Sequence, residues 1–290
     1  GASNGVSRVI VDGFTLLNDA GDNSFHLNFS DSSTNEALGY DLAATVPALD
    51  PKKGMDVITY TGTGSLQNIG GLQFEPGLIW QKPRSNANPH QLYDSVRGDN
   101  ARLKPSSTDA EYTYSAGAGL TFNVDGFAVG TDNGLNQSGQ SFVAWCWRAG
   151  GPAVANNSGT INSQVSANTD YGFSIVSYTG NGTASATIGH GLTGQTPKFI
   201  IVKDRTQSQV WNIHHASKTT AGDLLFDSST GTQSDKITAT SSTTFTVADD
   251  GNVNRNNDNY IAYCWSEVSG YSKFGTYEGA STVTVTTGFR

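Results

Sequence analysis

Residues 172–203 read GFSIVSYTGNGTASATIGHGLTGQTPKFIIVK, and residues 54–82 read GMDVITYTGTGSLQNIGGLQFEPGLIWQK. The chain states one phrase twice. Tyr60-Thr61-Gly62 stands 118 residues before Tyr178-Thr179-Gly180, and Pro76 stands 121 before Pro197, as does Lys82-Pro83-Arg84 before Lys203-Asp204-Arg205. The drift of three is a loop insertion. A second block repeats at 118: Phe142-Val143-Ala144-Trp145-Cys146-Trp147 against Tyr260-Ile261-Ala262-Tyr263-Cys264-Trp265. Self-similarity at one spacing decides a fold before any local signal does, and a spacing near 120 is that of a domain rather than a solenoid turn.

Each block is strand-like. Alternation puts Phe142, Ala144 and Cys146 on one face of a strand and Val143, Trp145 and Trp147 on the other. Short apolar runs separated by Thr61-Gly62-Thr63-Gly64 and Glu75-Pro76-Gly77 mark tight turns. Asp125-Gly126 between Leu120-Thr121-Phe122-Asn123-Val124 and Phe127-Ala128-Val129 predicts a type I′ hairpin. In the second copy Phe245-Thr246-Val247 is matched to Phe122-Asn123-Val124. No window of a dozen residues has helical periodicity.

The predicted architecture is therefore all-β, with two tandem antiparallel sandwiches of about 120 residues preceded by a partial β segment. The boundaries are 1–53 for an N-terminal β segment and linker, the end of an upstream sandwich, then 54–171 and 172–290 for the two repeats. In the first segment Val9 to Leu17 reads as strand, Asp12-Gly13 turn and strand, residues 24–30 alternate as a further strand, and residues 37–41 begin another. After Gly270 the opening phrase starts a third time, as Tyr271-Ser272-Lys273-Phe274-Gly275, and the last repeat takes in this start or a closing hairpin. The opening Gly1-Ala2-Ser3 reads as a cleavage scar or the edge of a fragment.

The composition suits such a fold. Of 290 residues, 34 are glycine and only 14% are charged, against roughly 25% in ordinary soluble proteins, so hydroxyls and amides supply most surface polarity. Aromatics at 10% can furnish a core. A net charge of -8 without any basic stripe argues against nucleic acid as a partner. The apolar runs of four or five residues, such as Phe199-Ile200-Ile201-Val202, are far short of the ~20 that cross a bilayer, so membrane insertion is not expected. Cys146 and Cys264, at matching positions in two domains, are expected to be too far apart for a disulfide. They read as free, buried packing residues made in a reducing compartment.

Chemistry-bearing patterns are sparse. Glu75, Asp94, Glu111 and Glu267 offer carboxylates, yet their spacing forces no pair of the kind that cleaves glycans. His214-His215 and His90 lack metal spacing, since adjacent residues on a strand face opposite ways. With no helical segment to follow, no glycine motif of the chain makes a nucleophile elbow or a nucleotide loop, so no catalytic residue, cofactor or metal is assigned. Asp250, Asn252 and Asn254 alternate as calcium ligands do, but Arg255 stands where such a loop needs Gly. Five tryptophans can stack on sugars. Trp147 and Trp265, at matching positions, are expected in the sandwich core. Trp80 and Trp211, without a Trp twin, are the surface candidates for glycan binding, and Arg84 and Arg97 read either as turn-fixing residues or as further ligand contacts.

Taken together, Phe173 to Gly182, Gly189-His190-Gly191-Leu192, Pro197 to Lys203, Tyr260 to Trp265 and Gly270 to Gly275 resemble repeats in tail-fibre-like proteins of marine bacteriophages. Such repeats often follow a laminin-G or concanavalin-like sandwich, whose tail end residues 25–41 resemble. The resemblance implies a structural and adhesive module of a virion appendage. It would be assembled in the host cytoplasm, act as a homotrimer beside other virion proteins, and hold a host surface glycan without turnover. The alternatives are a tailspike glycosidase that depolymerises host polysaccharide and a decoration or spacer protein with no ligand.

Overall fold

The computed structural model describes residues 9–11, 14–16, 49–218, 224–226 and 234–287, and the chain divides into two units, Gly1–Ala48 and Leu49–Arg290. In the first unit β1 (Val9–Val11) pairs antiparallel with β2 (Phe14–Leu16), Val11 opposite Phe14, as the two strands expected on either side of Asp12-Gly13. The strands expected over residues 24–30 and 37–41 lie outside the described residues.

The second unit opens with a 3-10 turn at Pro51–Lys53, whose first N–H groups are capped by Asp50. The first repeat follows as β3 (Met55–Thr61), β4 (Gln67–Gly70), β5 (Leu78–Pro83), β6 (Gln91–Asp94), β7 (Ala101–Arg102), β8 (Tyr112–Thr113), β9 (Leu120–Asn123), β10 (Gly126–Val129), the single helical turn α1 (Asn133–Asn136) and β11 (Ser141–Trp147). Next come β12 (Val154–Asn156) and β13 (Ser163–Asn168). The second repeat holds β14 (Phe173–Thr179), β15 (Ala186–Gly189), β16 (Phe199–Asp204), β17 (Asn212–His215), β18 (Leu224–Leu225), β19 (Ile237–Thr240), β20 (Thr244–Val247) and β21 (Asn259–Trp265).

One arrangement recurs. In the first repeat the sheet β3-β11-β5-β6 faces β4-β10-β9, and in the second β14-β21-β16-β17 faces β15-β20-β19, with β13-β12 and β18 extending the larger sheet to seven strands. The pairings between these strands are antiparallel. Equivalent rungs carry equivalent rings. Tyr60 opposes Phe142 and stacks on it at 5.0 Å, and Tyr178 opposes Tyr260 and stacks at 5.1 Å.

Two sequence expectations need correction. Phe245-Thr246-Val247 corresponds to Phe127-Ala128-Val129, because Phe245 and Phe127 both lie on a middle strand opposite an isoleucine, Ile188 and Ile69, whereas Phe122 lies on edge strand β9. The hairpin between β9 and β10 turns at Val124-Asp125, since Asn123 already pairs with Gly126. Neither turn residue has positive φ, so the turn is not type I′. Gly126 is required for a different reason: a Cβ there would sit 1.9 Å from the Ile69 carbonyl oxygen.

Alternation fills each sandwich. Ala144 and Cys146 join Ile69, Leu120, Phe127 and Val129 in the first core, and Ala262 and Cys264 join Val176, Ile188, Phe245 and Val247 in the second. The outer faces of the two larger sheets are apolar as well and close on each other. Leu78 and Leu92 of the first meet Phe173, Ile175, Ile201, Ile213, Ile261 and Tyr263 of the second in a third core. Strands buried on both faces lose polar alternation and become continuous apolar runs, which accounts for Phe199-Ile200-Ile201-Val202. Each fully buried Ile there stabilises by about 1.5–3 kcal/mol relative to exposure. The repeats are thus four stacked β layers.

Candidate functional site

The two central strands β11 and β21 build the site. Because Cys146 and Cys264 face inward, Trp147 and Trp265 must face out, towards the junction of the two larger sheets. There the sheets part and leave a cleft of about 440 Å³. Trp80 and Trp147 line one side, Phe199 and Trp265 the other, and Tyr171 with the segment from Tyr271 to Phe274 closes the end. Among the described residues no charged side chain lines it.

The rings support one another. Trp147 meets Trp265 edge to face at 6.1 Å and 73°, Phe199 lies 5.5 Å from Trp265, and Phe274 stacks on Phe199 at 5.9 Å and 15°. Edge-to-face and offset pairs are the arrangements that ring quadrupoles favour. Trp80 donates its indole N–H to His90 Nδ1 at 2.9 Å, which fixes the His90 proton on Nε2. Burial, reinforced by the charge of Lys82, lowers the His90 pKa and favours that neutral form. The indole N–H groups of Trp147 and Trp265 meet no acceptor among the described residues. Half-buried flat rings with free donors can hold a neutral ligand that offers C–H faces and oxygen acceptors.

Of the residues expected at a binding surface, only Trp80 enters this cleft. Trp211 is 0% exposed and donates its indole N–H to the Lys104 and Ser107 carbonyls, so its ring is core and the surface assignment is corrected. Its lack of a Trp twin has a packing reason. Its counterpart is His90, which pairs with Trp80, while the counterpart of Trp80 is the smaller Ile201, so the bulky ring has moved to a neighbouring position. The Arg97 side chain is also wholly buried, 2.5 Å from Asp94 and 3.1 Å from Glu111, and is likewise removed from the surface candidates. Arg84 is exposed and lies outside the cleft lining.

Asp94 and Glu111 are brought together, but by arginines. Glu111 is also held by Arg205 of the second repeat at 2.8 Å, and Asp94 accepts the Tyr263 hydroxyl at 2.6 Å. Burial works against the charge of Glu111, yet hydrogen bonds and charge from Arg205 and Arg97 keep its carboxyl below the ordinary range. The network ties repeat to repeat. Glu267 accepts the Phe274 N–H and pairs with Lys273, and Glu75 is exposed.

Asp250, Asn252 and Asn254 form half of a duplicated clamp. Asp250 accepts the Asn252 N–H and the Lys236 amine. Asn254 accepts the Asn181 N–H and donates to the Thr183 carbonyl, just as Asn136 engages Thr63 and Ser65. Tyr178 closes the loop on the Val253 carbonyl at 2.7 Å, and Tyr60 does so on Leu135 at 2.7 Å. Among the described residues no group of three or more His, Cys, Asp and Glu is placed to hold a metal, and no helix is long and apolar enough to cross a membrane. His215 lies beside Phe199 and Phe274, with His214 on the opposite face of β17.

Sequence reasoning missed Phe199, Tyr171, Tyr271 and Phe274, and placed Trp147 and Trp265 in the sandwich cores. The signal was present. A Trp directly after an inward Cys on an alternating strand must point outward, and the match between repeats says so twice.

A family model described as Domain of unknown function (DUF7483) matches residues 50–290. No curated protein and no solved structure matches the chain.

Proposed function

The chain belongs to the DUF7483 family, and from that premise we propose that it is an adhesive β module that holds a neutral surface glycan in the Trp80–Trp147–Trp265 cleft without turning it over. The observation that carries this reading is the cleft itself: half-buried indoles from both repeats, free N–H donors and no charge among the described lining residues. Sugar rings present apolar C–H faces to such surfaces and hydroxyl acceptors to such donors. A shallow site of this kind binds weakly alone, and its natural setting is a trimeric virion appendage facing a host cell, where many copies act together.

The test uses the 290-residue chain on an array of neutral and acidic glycans, followed by titration of tryptophan fluorescence with any bound oligosaccharide. The expected outcome is binding to neutral glycans with no release of reducing ends. Trp147→Ala and Trp265→Ala should each weaken it at least tenfold, with exposed Leu66→Ala as the unaffected control. Release of reducing ends would replace the adhesive reading with a glycosidase. An array without hits would leave a spacer.

A further inference from the structure

The two repeats differ at one edge. In the second, β14 lies inside its sheet, paired with β21 on one side and β13 on the other. Its counterpart β3 ends the order β3-β11-β5-β6, and among the described residues only β11 pairs with it. The Gly62 N–H bonds the Gln140 carbonyl, and the Gly54 carbonyl takes the Arg148 N–H. Residues of an antiparallel strand bond alternately to one side and the other. Met55, Val57, Thr59 and Thr61 therefore turn their N–H and C=O groups to the open edge. Asp56 Oδ1 takes the Val57 N–H at 2.8 Å, and the Gln67 amide reaches the Thr61 carbonyl at 3.3 Å. For both backbone groups of Thr59 the described residues supply no partner.

The uncovered edge shows in the side chains. Val165 of β13 stands opposite Val176 in the second core, where Val176 and Tyr178 are 0% and 3% exposed. Their counterparts Ile58 and Tyr60 are only half-buried against the first core, and Val57 is 45% exposed. Folded proteins shield long edges with Lys, Pro or bulges, because an open one recruits another strand. Over its seven residues β3 has one charge, Asp56, and neither Lys nor Pro.

The chain also carries a strand pattern without a sheet. Residues 282–286, Thr-Val-Thr-Val-Thr, alternate as strands do, join no strand, and leave Val283 41% and Val285 55% exposed. Laid antiparallel on β3 with Thr284 opposite Thr59, they place Val285 beside Ile58, where β13 places Val165 beside Val176, and Val283 beside Tyr60. Thr284 then meets Thr59 in a cross-strand pair of the kind that stabilises sheets. Tyr271 and Phe274 line the cleft together with Met55, at the start of β3, so along its own β3 the segment would run parallel. A second copy turned end for end meets it antiparallel.

We propose that the open edge of β3 is an acceptor for residues 282–286 of a second copy, paired antiparallel as β13 pairs with β14. Such pairing is head to tail and closes into a ring when the rotation allows. The test is sedimentation of the 290-residue chain over a range of concentrations, and the native chain should assemble as concentration rises. Thr59→Pro deletes an N–H that β3 does not use within its sheet, a change that edge strands tolerate. That variant, and separately Val283→Lys combined with Val285→Lys, should weaken assembly by about tenfold or more and leave the melting of the single copy unchanged. Chains with Thr59→Cys and with Thr284→Cys, mixed and oxidised, should join in a mixed disulfide, since facing residues come within its reach and Cys146 and Cys264 are buried. A chain that stays single at every concentration overturns the proposal, as does assembly that survives both variants. Preferential linkage of the Thr59→Cys chain to its own kind overturns it too, because edge would then meet edge.

Discussion

Trp147 and Trp265 occupy matching places in two sandwiches and meet each other, ring centroids 6.1 Å apart at 73°. The duplication that set them 118 residues apart in sequence thus brings them to one seam. Truncating either ring removes this contact, so the two substitutions are not independent. A double-mutant cycle of Trp147→Ala and Trp265→Ala, read by urea unfolding, should return a coupling of about 0.5–1.5 kcal/mol. Strict additivity would contradict the pairing.

Trp211→Ala should destabilise by about 3–5 kcal/mol. Besides leaving a cavity, it strands the Lys104 and Ser107 carbonyls. Trp80→Ala, at a half-buried position, should cost less than half as much. Chemical denaturation of the two variants side by side checks the order.

Arg97→Met should cost about 3–5 kcal/mol, because Asp94 and Glu111 keep their charges and lose their shared cation. Tyr263→Phe removes one hydrogen bond to a carboxylate and should cost about 1.5–3 kcal/mol. Both act at the seam between repeats. Calorimetry should therefore show the repeats beginning to melt separately in the Arg97 variant.

Stability should fall with acid below about pH 6.5, the ordinary histidine value. His190 is buried, with Nδ1 accepting the Leu192 N–H at 3.1 Å and Nε2 against the Ser241 carbonyl at 3.2 Å. Burial holds its pKa below the ordinary value. The unfolded chain thus takes up a proton first. The contribution is complete above pH 6.5 and is lost as pH falls through the lowered folded value. Burial shifts His214 and His90 the same way. His190→Gln should flatten the slope of Tm between pH 6.5 and 5.

Fold class and strand faces were legible because alternation is a local property of the chain. Phe142 to Trp147 declares its two sides unaided. What covers the outer side is not local. Ile201, Ile213 and Tyr263 are apolar on a face that a lone sandwich would leave wet, and this excess was the available sign of a further layer. The apparent singularity of Trp211 misled because its counterpart is a Trp80–His90 pair, visible only when the sheets are closed. The buried Arg97 was equally hidden, since the groups that cover it and its neighbour Asp94, namely Glu111 and Tyr263, come from farther along the chain.

The two cysteines sit at the centre of the two sandwiches, unpaired and buried. Burial pushes both thiols up, Cys264 to about 12, so neither is a thiolate near neutrality, and oxidants and alkylating reagents find little to attack. Each is thereby a silent tag for its own half of the molecule. Modification by a maleimide waits for that half to open, and mapping which peptide is labelled first would rank the lifetimes of the two halves without any engineered probe.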